Sequence, residues 1–191
     1  MIGASGRSGT ALCRALSRDG VPYIPVVRSA DRWAATGLPG EPRIADLRDG
    51  SLRAALAGVD RVASCAHARH IPAILAASDA GHFVFLGSTR KFTRWPDAHG
   101  AGVLDGEAAF LAAGRPGVLL HPTMIYGATG EDNVQRLAAL LRRLPVVPLP
   151  DGGRALVQPI HQSDVTRCLR ASLDVAWPGP EVIVIAGPAS L

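Results

Sequence analysis

The chain has 191 residues, of which 48% are hydrophobic, and its formal net charge is +4 at pH 7. This length favours one domain with a substantial core, and no apolar stretch approaches the roughly 18 residues of a membrane-spanning helix, so we expect a soluble, cytoplasmic protein without a membrane span. The positive charge does not predict nucleic-acid binding, because Lys91 is the only lysine and the arginines are scattered along the chain.

The chain begins with a glycine-rich loop, Gly3-Ala4-Ser5-Gly6-Arg7-Ser8-Gly9, preceded by Met1 and Ile2. Residues 10–18 carry an apolar stripe at helical spacing, and Gly20 follows as a stop, so the glycines lie at a helix N-terminus. Backbone N–H groups and the helix dipole attract anionic phosphate there. The loop therefore predicts a dinucleotide phosphate site. A glycine turn that binds nothing is the alternative, because the chain contains 21 glycines.

Short apolar runs alternate with helical patterns as far as residue 120. Strands are predicted at 23–27, 43–46, 61–66, 82–86 and 117–120. Helices are predicted at 52–56, 71–78 and 104–113. This alternation predicts a parallel sheet covered by helices on both faces and joined by right-handed crossovers, which is an α/β fold with a doubly wound, mostly parallel sheet.

The last third of the chain contains longer irregular stretches. Its predicted elements are, in chain order, a helix from an N-cap at Asp132 or Asn133 to Pro145, an irregular connection at 145–153, a strand at 155–160, a helix capped by Ser163 or Asp164, and a strand at 181–186. A strand of about five residues normally precedes a glycine loop of this kind. We therefore expect residues 1–191 to form a single domain that is trimmed at its first strand and at its C-terminus.

The three cysteines, Cys13, Cys65 and Cys168, are widely spaced and contain no CxxC pair. This spacing predicts neither a disulfide framework nor a zinc knuckle, and small buried hydrophobic roles are expected instead. The six histidines show no metal-ligand spacing such as HExxH. We expect no metal site.

Several stretches resemble, in chain order, the motifs of one protein family. They are GASGRSG at 3–9, Asp46-Leu47, LHPTMIYG at 120–127, VQPIHQSDV at 157–165 and Ile185-Ala186-Gly187. These stretches are similar to the GxxGxxG loop, the adenine-contacting Asp-hydrophobic pair, the RP-x-x-x-YG segment, the QP-(I/V)-H-x-x-D-V stretch and the closing N-(I/L)-x-G strand of the extended and atypical short-chain dehydrogenase/reductases, also called the NAD(P)-dependent epimerase/dehydratase superfamily. The resemblance implies an NAD(P)-binding Rossmann domain, with a small substrate-side segment after Tyr126.

In such a domain, loops that follow successive strands hold the cofactor. The residues expected there are Gly3, Ser5, Gly6, Arg7, Ser8, Gly9, Arg28, Asp46, Leu47, Cys65, Ala66, His67, Pro122 and Thr123. Arg28 follows the second predicted strand, where an acidic residue would favour NAD. Together with Arg7 it offers guanidinium donors to a 2′-phosphate. We therefore expect NADP(H), with NAD as the alternative if Arg28 is an ordinary exposed arginine.

Hydride-transferring members of this family usually carry Tyr-x-x-x-Lys, in which the lysine lowers the pKa of the tyrosine. The chain lacks this pair, because alignment of Glu107 with the family's helix puts His99 and Val103 at the two positions. Ser88 keeps the position of the companion serine and is the expected catalytic residue.

Four further residues are candidates to replace the lost pair: Lys91, His99, Tyr126 and His161. Lys91 belongs to a loop that the resemblance places opposite the nicotinamide, although a solvated charged loop is the alternative. His161, and His121 in the predicted loop at 121–123, are expected to be structural. Tyr126 is expected to anchor its own loop.

Two classes of function remain open. The chain is either an oxidoreductase or isomerase that acts on an unknown small molecule, or a non-catalytic NADP(H)-binding sensor or accessory subunit similar to atypical members of the family. Nucleic-acid binding rests on a pI near 9.5 and on the short loop at 90–95, and it is not expected. The sequence names neither the substrate nor the oligomeric state.

Overall fold

A parallel β-sheet forms the centre of the computed structural model, which describes residues 1–128, 138–144, 154 and 156–190. The strands are β1 (Val26–Val27), β2 (Arg43–Ile44), β3 (Arg61–Ser64), β4 (His82–Leu86), β5 (Gly117–Pro122), β6 (Ile125–Tyr126), β7 (Ile160–His161) and β8 (Pro180–Ile185). The helices are α1 (Arg7–Arg18), α2 (Ala30–Ala34), α3 (Ser51–Ala55), α4 (Ile71–Ala77), α5 (Ala98–Ala113) and α6 (Gln162–Ser172). Short 3-10 turns, Ala68–His70 and Thr89–Phe92, precede α4 and follow β4.

Ile2 takes the place of a first strand in the sheet. It lies between β1 and β3 and forms parallel bridges to Val26 and Ser64. Its N–H donates to the carbonyl oxygen of Ala63 at 2.8 Å, and its own carbonyl oxygen accepts from the N–H of Cys65 at 3.1 Å. With Ile2 included, the order of the main sheet is β2-β1-Ile2-β3-β4-β5-β8, and all its pairings are parallel. The strand order therefore reverses beside Ile2, at the start of the glycine loop.

Apolar side chains pack on both faces of this sheet. Phe83 of β4 belongs to one core, together with Phe110 of α5. The next residue, Val84, belongs to the core on the other face, together with Leu12 of α1 and Leu169 of α6. Because successive residues of a strand point to opposite faces, helices cover the sheet on both sides. This arrangement confirms the predicted doubly wound α/β fold.

Helix α5 begins at Ala98, six residues before the predicted start at residue 104. The side chain of Asp97 caps it by accepting a hydrogen bond from the N–H of Gly100 at 2.7 Å. Glycines disfavour a helix, and Gly100 and Gly102 lie in this first part of α5. The sequence therefore did not predict a helix at 98–103. Glycine is needed at position 106, where a Cβ atom would overlap the carbonyl oxygen of Ala68.

Helix α2 was not predicted, because it has only five residues and little pattern to detect. Its N-cap is Ser29, whose hydroxyl accepts from the N–H of Arg32 at 3.3 Å. Trp33 anchors it with 3% of its surface exposed, and Nε1 of this residue donates to the carbonyl oxygen of Gly40 at 2.8 Å. Within the described parts of the chain, no helix is both long and apolar enough to cross a membrane.

The C-terminal region departs from the predictions at two points. The predicted strand at 155–160 is reduced to β7, because Pro159 has no N–H to donate and residues 156–159 stay irregular. Helix α6 is capped by His161, whose Nδ1 accepts from the N–H of Ser163 at 3.2 Å, and not by Ser163 or Asp164. A helical turn at 138–141 belongs to the predicted helix that Pro145 ends. Its proposed cap at Asp132 or Asn133 and the connection at 145–153 lie outside the described residues.

Candidate functional site

The glycine loop turns sharply between Ile2 and α1. Gly3 has a φ of +71°, a left-handed conformation that residues with a side chain rarely adopt. The N–H of Gly6 donates to the carbonyl oxygen of Gly3 at 3.0 Å. A Cβ atom on Gly9 would overlap that same oxygen. The three glycines therefore let the loop fold against the start of α1.

The N-terminus of α1 carries no side-chain cap. Gly6 is the N-cap residue, and the first turn contains no acidic residue. The first N–H groups of a helix have no acceptor within the helix, and the helix dipole makes this end partially positive. This end of α1 therefore fits an anionic phosphate group.

A cleft of about 1010 Å³ opens from this loop along the carboxyl ends of the strands. Eight of the residues predicted for the site line it: Arg7, Ser8, Cys65, Ala66, His67, Ser88, Pro122 and Thr123. Helix α5 adds His99 and Val103 to its wall; the resemblance aligns these two residues with the family's tyrosine and lysine. Gln162 of α6 also faces the cleft and accepts a hydrogen bond from the hydroxyl of Ser8 at 3.1 Å. The cleft is therefore continuous from α1 to the loop after β4.

The other predicted cofactor residues are absent from the described lining of the cleft: Gly3, Ser5, Gly6, Gly9, Arg28, Asp46 and Leu47. Arg28 is exposed directly after β1. Oδ1 of Asp46 accepts from the N–H of Arg48 at 3.0 Å, so this carboxylate shapes its own turn. The pKa of His70 is lowered by burial and by the charges of nearby arginines, with Arg28 and Arg48 among them. These arginines make a positively charged corner at the ends of β1 and β2, and the carboxylate of Asp46 offsets part of their effect by raising the pKa of His70.

His67 offers an unpaired hydrogen-bond donor in the wall of the cleft. Its Nδ1 accepts from the backbone N–H of Arg69 at 3.0 Å, which leaves the proton of the neutral ring on Nε2. Among the described residues, Nε2 is buried and has no partner. The ring stands perpendicular to that of His99, with centroids 4.1 Å apart. Burial, and next the charge of His99, lower the pKa of His67 to about 4, so the ring is neutral at physiological pH.

Two residues with hydroxyl groups, Ser88 and Thr123, line the same cleft. Oγ1 of Thr123 is buried, also with no partner among the described residues. Oγ of Ser88 accepts from the N–H of Arg90 at 3.1 Å, which starts the 3-10 turn and leaves the hydroxyl proton of Ser88 to be donated. Buried polar atoms are nearly always hydrogen-bonded, so the unpaired atoms of His67 and Thr123 are exceptions behind the wall of the cleft.

The structure places Lys91 and His121 differently from the sequence expectations, which put Lys91 opposite the nicotinamide and His121 in a loop. The side chain of Lys91 is 9% exposed and does not face the cleft, because Nζ lies 2.5 Å from Oε2 of Glu107. His121 belongs to β5 and not to a loop, and its buried Nε2 lies 2.7 Å from the same oxygen without making an aligned hydrogen bond. Burial opposes ionisation of Glu107, yet the hydrogen bond and charge of Lys91 hold the pKa of this carboxyl below its usual range. The only feature of the sequence that pointed to this cluster is that Lys91 is the only lysine of the chain.

Tyr126 and His161 contact each other away from the cleft. Their rings are 5.1 Å apart and nearly perpendicular, and His161 faces a groove between α1 and α6. Neither residue is among the described residues that line the cleft. Of the candidates to replace the lost tyrosine and lysine, the structure therefore brings Ser88 and His99 into the wall of the cleft.

The three cysteines are free thiols in the structure. Cys13 is buried, and Cys65 and Cys168 are half-buried. Burial raises the pKa of Cys65, which lines the cleft, to about 12. Its sulfur is therefore protonated and a poor nucleophile. No cluster of metal-ligating side chains occurs within the described residues.

No protein-family model and no curated protein sequence matches the chain. Solved structures do match over its whole length. MoeE5, in complex with UDP-glucose and NAD, is 22% identical with a TM-score of 0.79, and the match covers 100% of this chain and 76% of that one. The UDP-glucuronic acid 4-epimerase of Bacillus cereus is 17% identical with a TM-score of 0.79, covering 100% and 77%. The Citrobacter sp. triphenylmethane reductase, complexed with NADP(H), is 17% identical with a TM-score of 0.74, covering 100% and 70%.

These likenesses show the fold. The chain has the α/β fold of NAD(P)-dependent epimerases and reductases, which confirms the resemblance drawn from its motifs at the level of the fold. The roles of individual site residues stay predictions.

Proposed function

We propose that the chain binds NADP(H) in the cleft and acts as a reductase of a small molecule. The observation that carries this proposal is the continuity of the cleft. It joins the uncapped, glycine-cradled N-terminus of α1 to the loop that holds Ser88. The pyrophosphate of a dinucleotide lies between its adenosine and nicotinamide halves, so a cleft that runs from a phosphate site to Ser88 fits the nicotinamide half. The structural neighbours in complex with NAD or NADP(H) support the same cofactor class.

The positively charged corner supports NADP(H) over NAD. Arg28 follows β1 at the position that usually contacts the adenosine ribose, and Arg48 lies near enough to act on the same histidine, His70. A 2′-phosphate adds negative charge that guanidinium groups bind with paired hydrogen bonds.

Reduction suits this cleft better than isomerisation. Bound NADPH would supply the hydride, and solvent water would supply the proton that the reduced group takes up. An isomerase or alcohol dehydrogenase also needs a base that removes a proton from the substrate, and the tyrosine-lysine pair that serves this purpose in the family is missing. A reductase needs a donor that orients an acceptor group, and the hydroxyl of Ser88, a residue that lines the cleft, is such a donor.

A non-catalytic NADP(H) sensor or accessory subunit is the second candidate. The burial of Lys91 against Glu107 favours it, because this ammonium is held away from the cleft. Cytoplasmic location and the lack of nucleic-acid binding stay predictions from the sequence.

Calorimetry with NADPH and NADH, followed by a turnover screen, tests these candidates. The screen monitors NADPH absorbance with quinones, other carbonyl compounds and sugar nucleotides at saturating cofactor. Tight NADPH binding with turnover of one class supports the reductase. Tight binding without oxidation of NADPH supports the sensor. If neither cofactor binds, both candidates are wrong.

A further inference from the structure

A buried ion cluster lies behind Ser88, next to the cleft. Lys91 comes from the 3-10 turn after β4, Glu107 from α5 and His121 from β5. Nζ of Lys91 and Nε2 of His121 lie 2.5 Å and 2.7 Å from Oε2 of Glu107, and the three side chains are 9%, 0% and 19% exposed for Lys91, His121 and Glu107. Burial of ionisable groups costs free energy. This cost indicates that the cluster does more than fill space.

His121 connects the cluster to the backbone of Ser88. Its Nδ1 accepts from the N–H of Ser88 at 3.0 Å, and the carbonyl oxygen of Ser88 lies 3.2 Å from the same nitrogen. A Cβ atom on Gly87 would overlap the imidazole ring. The ring therefore lies directly against the peptide that carries Ser88 into the wall of the cleft.

The charge state of His121 decides which group of Ser88 it binds. A neutral ring that accepts at Nδ1 carries its proton on Nε2, which faces the carboxylate of Glu107. A protonated ring has a proton on both nitrogens and cannot accept from the N–H of Ser88. It donates instead to the nearby carbonyl oxygen of Ser88. Protonation thus exchanges a hydrogen bond from the N–H of Ser88 for one to its carbonyl oxygen.

Lys91 opposes that protonation. Burial, and then the charge of Lys91, lower the pKa of His121, while the charge and hydrogen bond of Glu107 offset part of this effect. In the part of the chain that the structure describes, Lys91 from the turn and Glu107 from α5 are the charged groups acting on the ring. The two opposite charges next to His121 therefore set its protonation.

We propose that His121 is a positioning residue whose ring accepts from the backbone N–H of Ser88 and thereby aims its hydroxyl into the cleft, and that Lys91 preserves this contact by offsetting the charge of Glu107 next to the ring. This inference rests on the proposed function for the role of Ser88, and on the geometry of the cluster for the rest. A lysine held in this way acts on the site without touching substrate or cofactor.

Removal of one charge at a time separates this role from simple packing. Lys91→Met leaves the carboxylate of Glu107 next to His121, so His121 takes up a proton at a higher pH than in the wild type. The double variant Lys91→Met/Glu107→Gln removes both charges and returns the ring to its neutral form. Lys91→Arg keeps the positive charge and retains the wild-type state. Arg94→Met removes an exposed basic residue from the same loop and serves as the matched control.

Nuclear magnetic resonance of the full chain measures the cluster without cofactor. We expect Lys91→Met to raise the pKa of the His121 imidazole and to speed hydrogen exchange of the Ser88 amide about tenfold where His121 is protonated. The double variant, Lys91→Arg and Arg94→Met keep wild-type exchange. If Lys91→Met does not fold, acid titration of the wild type gives the same test, because the Ser88 amide must titrate together with His121.

Two outcomes overturn the inference. In the first, His121 protonates at the same pH in Lys91→Met and in the wild type. In the second, hydrogen exchange of the Ser88 amide does not change when His121 is protonated. The proposed function is judged separately by NADPH binding and turnover of the wild type. If the wild type is active, kcat of Lys91→Met falls as His121 protonates, and the double variant restores it. Failure of the wild type to bind NADPH leaves the resonance experiment intact.

Discussion

A Cβ atom on Gly9 would overlap the carbonyl oxygen of Gly3. The first turn of α1 thus rests directly on the backbone of the residue that leaves the centre of the sheet. Backbone atoms cannot move aside as the end of a flexible side chain can, so position 9 admits glycine alone without a shift of the loop.

Gly9→Ala is expected to destabilise the fold by about 2 kcal/mol, since the added methyl group must displace either α1 or the loop. NADPH affinity should fall with it, because the N-terminus of α1 then moves away from the phosphate position. Urea unfolding and calorimetry measure the two effects. Gly81→Ala is the control, because a Cβ atom there meets nothing within 4 Å. Equal stability of the two variants would contradict the prediction.

Arg28→Gln is expected to weaken NADPH binding about tenfold or more and to leave NADH binding unchanged. The reason is the loss of charged hydrogen bonds to the 2′-phosphate, which NADH lacks. Calorimetry with both cofactors checks this, with the exposed Arg142→Gln as the control. An equal loss for both cofactors would show that Arg28 does not read the 2′-phosphate.

Ser88→Ala is expected to lower kcat about a hundredfold while NADPH affinity is unchanged, because a donor to the reacting group is lost and the phosphate site is intact. The hydroxyl of Ser88 also accepts from the N–H two residues later, and Ser78 makes the same contact with Ala80 away from the cleft. Ser78→Ala therefore controls for that contact. Turnover that survives in Ser88→Ala would remove this residue from the chemistry.

The free energy of unfolding is expected to fall as pH drops from about 6.5 to about 4. The pKa of His67 is lowered from 6.5 to about 4, mainly by burial, so in this range the unfolded chain binds a proton that the folded chain does not. Stability is therefore complete above the unfolded pKa and is lost below it. The pKa values of His70, His82 and His121 are lowered as well, each mainly by burial.

Carboxylates add to this loss only at lower pH. The hydrogen bond from Arg90 lowers the pKa of Asp97 to about 2, so Asp97 contributes stability that persists until pH falls below 3.8. Chemical unfolding between about pH 7.5 and about pH 4 measures the curve. His67→Gln should flatten it, because glutamine keeps a donor and does not titrate. A variant curve parallel to that of the wild type would assign the acid loss to other groups.

The order of strands and helices was predictable because it depends on local patterns. Apolar runs such as 82–86 and the helical stripe of α1 reflect which face of each element is buried. The glycine loop was also predictable from the sequence. Gly3 has a positive φ and Gly9 touches the carbonyl oxygen of Gly3, so the local backbone requires glycine at both positions. The start of α5 was not predictable, because Gly100 and Gly102 are disfavoured in an isolated helix, and their close contacts with Arg90 and Arg69 arise only in the folded chain.

The cluster of Lys91, Glu107 and His121 shows the limit of the sequence most clearly. Taken alone, the segment around each residue is equally consistent with an exposed charged side chain or with a structural histidine at the end of a strand. A turn, a helix and a strand bring them together at one carboxylate oxygen. Their charge states then depend on burial and on one another, which no local pattern encodes.

The amino-acid order thus determined the fold class and the position of the glycine loop, because backbone conformation and burial periodicity are properties of short segments. Packing across the sheet decided which side chains enter the cleft, which turn inward, and which histidine nitrogens carry a proton. The direction and ionisation of a side chain are set by neighbours that are distant along the chain.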